Sequence, residues 1–216
     1  MNRKLLKRIL VTSAIAVLGV STSFAALVME RDQSVDTAPS VGMYRFEVPV
    51  ELQGTYNSAG VANLTASMEK EPNTLSMNVA HVKGNPSESY VVEIYKDLAA
   101  IEAHRKSDHY QAFVNEVGSK LTNRKMYDVQ SVLLFEKKDA LSIVNDGKAV
   151  VTLTEFTVDS NEIDTVQRQY QLDMERAVRD DAGYKAGYVL RERNAKNRWY
   201  VIQIYSDQEA LIKHLN

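Results

Sequence analysis

The chain has 216 residues, a quarter of them charged, with 26 basic and 28 acidic side chains. That length supports one good-sized core or two small ones. It has no cysteine, which excludes disulfides, thiolate metal sites, cysteine nucleophiles and a lipid-modified cysteine anchor.

Residues 1–25 read as a leader rather than as part of the fold. Arg3, Lys4, Lys7 and Arg8 come first, without an acid. An apolar run of twelve, Ile9–Val20, follows, and Ser23 and Ala25 then stand at small-residue positions. This is the order of a secretory signal peptide, and the run falls short of the ~20 residues that span a bilayer. The expectations are cleavage after Ala25, a periplasmic or secreted location, and no stable membrane insertion afterwards. The remainder would carry 22 basic against 28 acidic residues, a net charge of −6. Such a charge, without a basic cluster, disfavours nucleic acid and anionic lipid as partners. A small uncharged or aromatic ligand, or a protein, fits better.

Beyond a linker at 26–40 the chain repeats itself. A shift of 110 residues aligns 41–106 with 151–216 without a gap, and twelve of the 66 positions are identical. The matches cluster in YVVEIYKDLAAIEAH against YVIQIYSDQEALIKH, which points to an ancient duplication. In chain order, 44–52 alternates like a strand. Val61, Leu64 and Met68 mark a helix, and the EPNT turn follows. Residues 75–82 and 89–95 then form a hairpin through KGNPSE. A second helix begins at the capping residue Asp97. It restarts at Ser107 with Tyr110, Phe113 or Val114, Val117 and Leu121 as a stripe. KMYDVQSVLLFEKK closes this copy with a fourth strand.

After a linker at 139–148 the second copy repeats the order: strand 150–158, then a helix with Asn161 as its expected cap and Ile163, Val166, Tyr170, Met174 and Ala177 on one face. The DDAG turn, strands 184–192 and 198–205, and a helix from Asp207 complete it. Strand, helix, strand, strand, helix, strand is the split βαβ order of a ferredoxin-like domain. Its antiparallel sheet needs a cover on the face that carries no helices, and the other copy can supply one. The expected fold is α+β: two ferredoxin-like repeats forming an intramolecular dimeric α+β barrel, with domains at 41–138 and 149–216. The second copy lacks a closing strand of its own. The edge left open invites pairing with a second chain as a homodimer, unless KMYDVQSVLLFEKK covers it.

The stretch from Glu93 to Phe113 resembles the signature of the antibiotic biosynthesis monooxygenase domain, most of all its quinol monooxygenase branch. Glu93, Tyr95, Asp97, Ala100, His104, Ser107, His109 and Phe113 carry the resemblance. EPNTLSMNV is similar to the family's Glu-Pro-Gly turn, with Asn73 in place of Gly. The resemblance implies an oxygenase of quinols or related phenols that needs no cofactor and takes a small aromatic substrate and oxygen as its partners. It implies His104 as base, with Tyr95 or Glu93 holding a ring oxygen, and His109, Phe113 and Ser107 in contact with substrate. The haem-degrading branch is disfavoured, because His104 and Val114 stand where its Trp and its haem-ligating His would be.

Other readings of these residues remain open. His104 could be a hydrogen-bonded packing residue, His109 a capping residue beside Asp108, and Tyr95 and Tyr205 plugs at strand ends. Glu93 could pair with a lysine, and Trp199 reads as packing. His104 and His109 are five apart across a helix break, not at i, i+4, which argues against a metal. Gln203 replaces Glu93 in the second copy, so any site belongs to the first. The alternative to an enzyme is a binding or interaction module that keeps the barrel and has lost the chemistry.

Overall fold

The computed structural model describes residues 39–137 and 148–216, and the backbone alone of 7–17. Apart from that strand and the last residues of each linker, the expected leader (1–25) and linkers (26–40 and 139–148) lie outside the described residues.

The elements follow the expected order. The first copy contains β2 (Ser40–Glu47), α1 (Gln53–Lys70), β3 (Thr74–Val82), β4 (Asn85–Tyr95), α2 (Leu98–Lys106), α3 (Asp108–Glu116), β5 (Thr122–Tyr127) and β6 (Val129–Glu136). The second contains β7 (Val150–Thr157), α4 (Ile163–Asp180), β8 (Tyr184–Glu192), β9 (Arg198–Tyr205) and α5 (Gln208–Leu215). The strand of 7–17 is β1. Two four-stranded antiparallel sheets result, β5-β2-β4-β3 and β7-β9-β8-β6, with the backbone of β1 between β3 and β7.

Strand parity sorts the side chains into layers. Met43, Tyr90, Val92 and Ile94 from one sheet meet Tyr188, Leu190, Tyr200, Ile202 and Ile204 from the other in a single core. Tyr127 and Tyr200 join the copies edge to face, 5.3 Å between centroids. This core is the barrel interior. Alternate residues of the same strands face outward under the helices. Val79, Val91 and Tyr95 pack against α1 and α2, and Val189, Trp199 and Val201 pack against α4. The fold is thus the expected α+β pair of ferredoxin-like repeats, and Trp199 is a fully buried packing residue.

Three local expectations change. The first strand ends at Glu47, because Pro49 has no N–H for the ladder and Val50–Leu52 coil into a 3-10 turn. Asn161 does not cap α4, whose cap position, Glu162, makes no side-chain hydrogen bond. The closing strand is split at Asp128. Its first half, β5, pairs with β2 of its own copy, and its second half, β6, pairs with β8 of the other. β6 therefore occupies the edge that the second copy leaves open, while β3, the counterpart of β8, takes β1.

Candidate functional site

Glu93 and Tyr95 alternate with Val92 and Ile94 on β4, so they face the helices rather than the barrel interior. On the neighbouring strand, Gly42 lies opposite Glu93, and Tyr44 and Phe46 share its face. α1 crosses this surface with Tyr56, Gly60, Asn63 and Leu64. α2 adds Ile101, His104 and Arg105, and α3 adds Tyr110 and Phe113. Together they enclose a cavity of about 90 Å³, several times the ~10–15 Å³ that one water needs.

Two helix starts aim the histidines. The Asp97 carboxylate accepts from the Ala100 amide at 2.8 Å and fixes the first turn of α2. This places Ala100 and His104, one turn apart, against the sheet. Ser107 ends α2 and caps α3. Its hydroxyl donates to the His104 carbonyl at 2.7 Å and accepts from the Tyr110 amide. The break turns His109 back toward α1.

Glu71, at the C-terminal end of α1, holds both histidines. Thr74 donates to its carboxylate at 2.6 Å. His104 Nδ1 lies 3.1 Å from each of its oxygens, and His109 Nε2 lies 2.7 Å from Oε1. Burial pushes the Glu71 carboxyl up, yet hydrogen bonds from Thr74 and both histidines bring it below its ordinary value. Burial lowers the His104 imidazole, and Glu71 opposes this less strongly. The pair is therefore a neutral imidazole donating from Nδ1–H to a carboxylate, a proton position assigned from the hydrogen-bond network. Ser67 Oγ, 3.3 Å from the same Nδ1, donates to the Asn63 carbonyl and so can only accept here.

The other nitrogen is the informative one. His104 is 1% exposed, and its Nε2 has no hydrogen-bond partner, nor has the buried Asn63 Oδ1 in the same wall. Buried polar atoms without partners are rare and costly. Two bare acceptors in one cavity ask for a ligand that brings hydrogen-bond donors. The ring of Tyr110 stands edge-on to His104 at 4.8 Å, and that of Tyr95 lies 5.6 Å away.

Opposite this pair, the Tyr95 hydroxyl donates to Glu93 Oε2 at 3.0 Å. Glu93 is partly buried and lines the cavity. Burial pushes its carboxyl up to about 7; the Tyr95 hydroxyl and the charge of Arg105 oppose the shift, and the charge of Glu71 adds to it. Burial and the neighbouring Glu93 raise the Tyr95 phenol far above its ordinary value. Glu93 pairs with a tyrosine, not a lysine.

Of the residues singled out in the sequence, Glu93, Tyr95, His104 and Phe113 line the cavity. Ser107 and His109 do not: Ser107 shapes the helix break, and His109 braces Glu71. Sequence reasoning missed Glu71, Asn63, Tyr44, Tyr56, Arg105 and Tyr110. Glu71 could have been found, because the 110-residue shift sets it on Asp181 as it sets His104 on His214. Tyr44 shares strand parity with Glu93 across a ladder.

The second copy repeats the brace, with a tyrosine beside it. His214 Nδ1 lies 2.6 Å from Asp181. Thr74 is replaced by Tyr184, whose ring packs 5.4 Å from both Tyr205 and His214. Its hydroxyl lies against Gly187, where a Cβ would meet it at 1.9 Å, and close to Gln203 without a well-formed hydrogen bond. Glu93 is the counterpart of Gln203, so a phenol fills the space that stays open in copy one.

The antibiotic biosynthesis monooxygenase family model matches residues 41–116 and 149–216. No curated protein matches the chain. Among solved structures, a candidate monooxygenase from Lactobacillus acidophilus superposes with a TM-score of 0.73 at 18% identity, covering 83% of this chain and 82% of its own. One from Fusobacterium nucleatum does so with a TM-score of 0.69 at 23% identity, covering 82% and 80%. At these identities the two structures speak for the fold, while the family match covers most of the chain. The chain belongs to the antibiotic biosynthesis monooxygenase family, with two tandem copies of its domain.

Proposed function

We propose that the chain is an exported, cofactor-independent monooxygenase acting on a quinol or another phenolic small molecule. The observation that carries this reading is the buried, unpartnered Nε2 of His104, a residue that lines a cavity rich in aromatic side chains, while its Nδ1–H is held by Glu71. An imidazole oriented through one nitrogen presents the other as a base. A substrate hydroxyl donates to Nε2 and loses its proton there. Asn63 Oδ1 can accept from a second hydroxyl, and Glu93 with Tyr95 can hold a ring oxygen. The phenolate is electron-rich enough to reduce oxygen directly, and the apolar walls limit water. With a quinol as substrate the reaction balances as quinol plus O2 giving hydroxyquinone plus water. Export rests on the basic, apolar, small-residue order of residues 1–25.

Oxygen uptake by the purified mature protein, with a panel of reduced quinones, tests the proposal. Turnover is expected without added metal or flavin, and His104→Ala should lower it ~100-fold or more. His214→Ala should leave it within a few-fold, since its cavity is filled. A greater loss from the His214 change, or no turnover with any quinol, would overturn the reading.

The repeated brace favours a second reading. His214 and Asp181 keep the pair beside a space that Tyr184 fills, so it serves the fold in at least one copy. A binding module would show quinol binding without oxygen consumption.

A further inference from the structure

Glu71, His104 and His109 offer one donor atom each, all within 4.8 Å of one another. We propose that these three residues form a site for a divalent transition ion of the zinc type, and that its occupation switches off His104 as a base.

Two imidazoles and one carboxylate are a donor set that zinc takes, with a fourth position left to water. Both imidazole nitrogens already point at the same oxygen, Glu71 Oε1, at 3.1 Å for His104 Nδ1 and 2.7 Å for His109 Nε2. Donors bound to one tetrahedral ion at ~2.0–2.2 Å stand about 3.3–3.6 Å apart, so the His104 edge is nearly in place and the His109 edge must open by about half an ångström. The third edge, between the two imidazole nitrogens, is no longer than 4.8 Å and closes as the rings turn inward. The ring of His104 is buried, and Glu71 and His109 each keep about 15% exposure, which leaves a route from solvent.

The consequence follows from the two faces of one ring. Without metal, His104 carries its proton on Nδ1 and leaves Nε2 bare toward the cavity. Metal on Nδ1 takes that lone pair, and the neutral ring must then carry its proton on Nε2. No proton is gained or lost; it changes nitrogen. His104 becomes a donor toward the cavity and can no longer accept from a substrate hydroxyl. The binding site stands on geometry alone, whereas the loss of activity rests on the proposed role of His104. The second copy has a His214–Asp181 pair but no third donor beside it among the described residues.

Calorimetric titration of zinc chloride into metal-stripped, tag-free protein tests the site, with nitrogen-15 NMR of the histidine rings in parallel. The expected result is one zinc per chain, an affinity lowered ~10-fold or more by His109→Gln and by Glu71→Gln, and movement of the His104 ring proton from Nδ1 to Nε2. Should Glu71→Gln fail to fold, His109→Gln still decides. No binding at stoichiometric zinc, or an affinity that the folded variants leave unchanged, overturns the proposal, as does binding that leaves the His104 proton on Nδ1. If quinol turnover exists, zinc should inhibit it at the concentrations that fill the site, and more weakly in His109→Gln. A protein that binds zinc as described but turns over no quinol keeps the site and loses only the oxygenase reading.

Discussion

Glu93 is held where a carboxylate is uncomfortable. Burial raises its carboxyl from the ordinary 4.5 to about 7, so its stabilising contribution is whole below pH 4.5 and is lost as pH rises through 7. Gln203 occupies the same place in the second copy and cannot ionise. Glu93→Gln should therefore match the natural chain at pH 4.5 and exceed its stability at pH 8, by about 3 kcal/mol at most. Denaturant unfolding at both pH values measures this, and a variant less stable at pH 8 would refute the account. The same change should lower quinol turnover, as expected where a strained group serves a reaction. His104 has the opposite sign. Its pKa is lowered by burial, so it stays neutral, and its stabilising effect is present above the ordinary histidine range near 6.5. That effect is lost as pH falls through the lowered value. Turnover should accordingly hold until pH falls below the ordinary histidine range. An acid limb centred above 6.5 would exclude His104 as the base. Gly42 leaves room for the Glu93 carboxylate: a Cβ there would stand 2.8 Å from the Tyr44 ring and 3.1 Å from Glu93 Oε2.

At the scale of elements, a helix and a turn make the difference between an open and a filled copy. α1 turns Tyr56, Gly60, Asn63 and Ser67 toward the sheet with Leu64, whereas α4 buries Met174 and Ala177. Thr74 leaves the next space open, and Tyr184 fills it. Tyr184→Thr, the residue of the other copy, should thus open a hole and cost about 3 kcal/mol. Thermal unfolding reads that loss, while quinol binding should stay unchanged. Unaltered stability would mean that Tyr184 is not a plug. These contrasts explain what the sequence revealed. Strands 89–95 and 198–205, with the caps at Asp97 and Asp207, were legible because alternation and capping are local. The α1 stripe of Val61, Leu64 and Met68 packs on the core as expected, but Tyr56, Gly60, Asn63 and Ser67 beside it went unread, because the side of a helix that lines a cavity is polar and small where a core face would be apolar. Glu71 looked like a turn residue, and its role appears only when α2 and α3 fold back on it.

Across the whole molecule, the two copies are tied by more than their shared core. β6 follows from copy one and completes the sheet of copy two, with Phe135 2% exposed among Met174, Val189 and Trp199. Phe135→Ala should lower Tm by on the order of 10 °C, from a loss of about 3–5 kcal/mol. Hydrogen exchange should quicken in β8 and α4 more than in β3 and α1. Faster exchange confined to the first copy would show that the strand belongs there after all. The sequence left this assignment open, since both sheets lacked a partner strand and residue pattern cannot tell one edge from another.

The break at Asp128 also bears on symmetry. A strand that crosses to its neighbour within one chain would cross to another molecule if the linker were cut. With β1 off its edge, two first halves could each lend β6 to the partner's β3, the counterpart of β8, giving a two-fold dimer whose halves must be identical. Covalent linkage removes that identity constraint. One copy can then keep an open pocket while the other closes its own, so a single chain offers one ligand place where a symmetric pair would be bound to offer two.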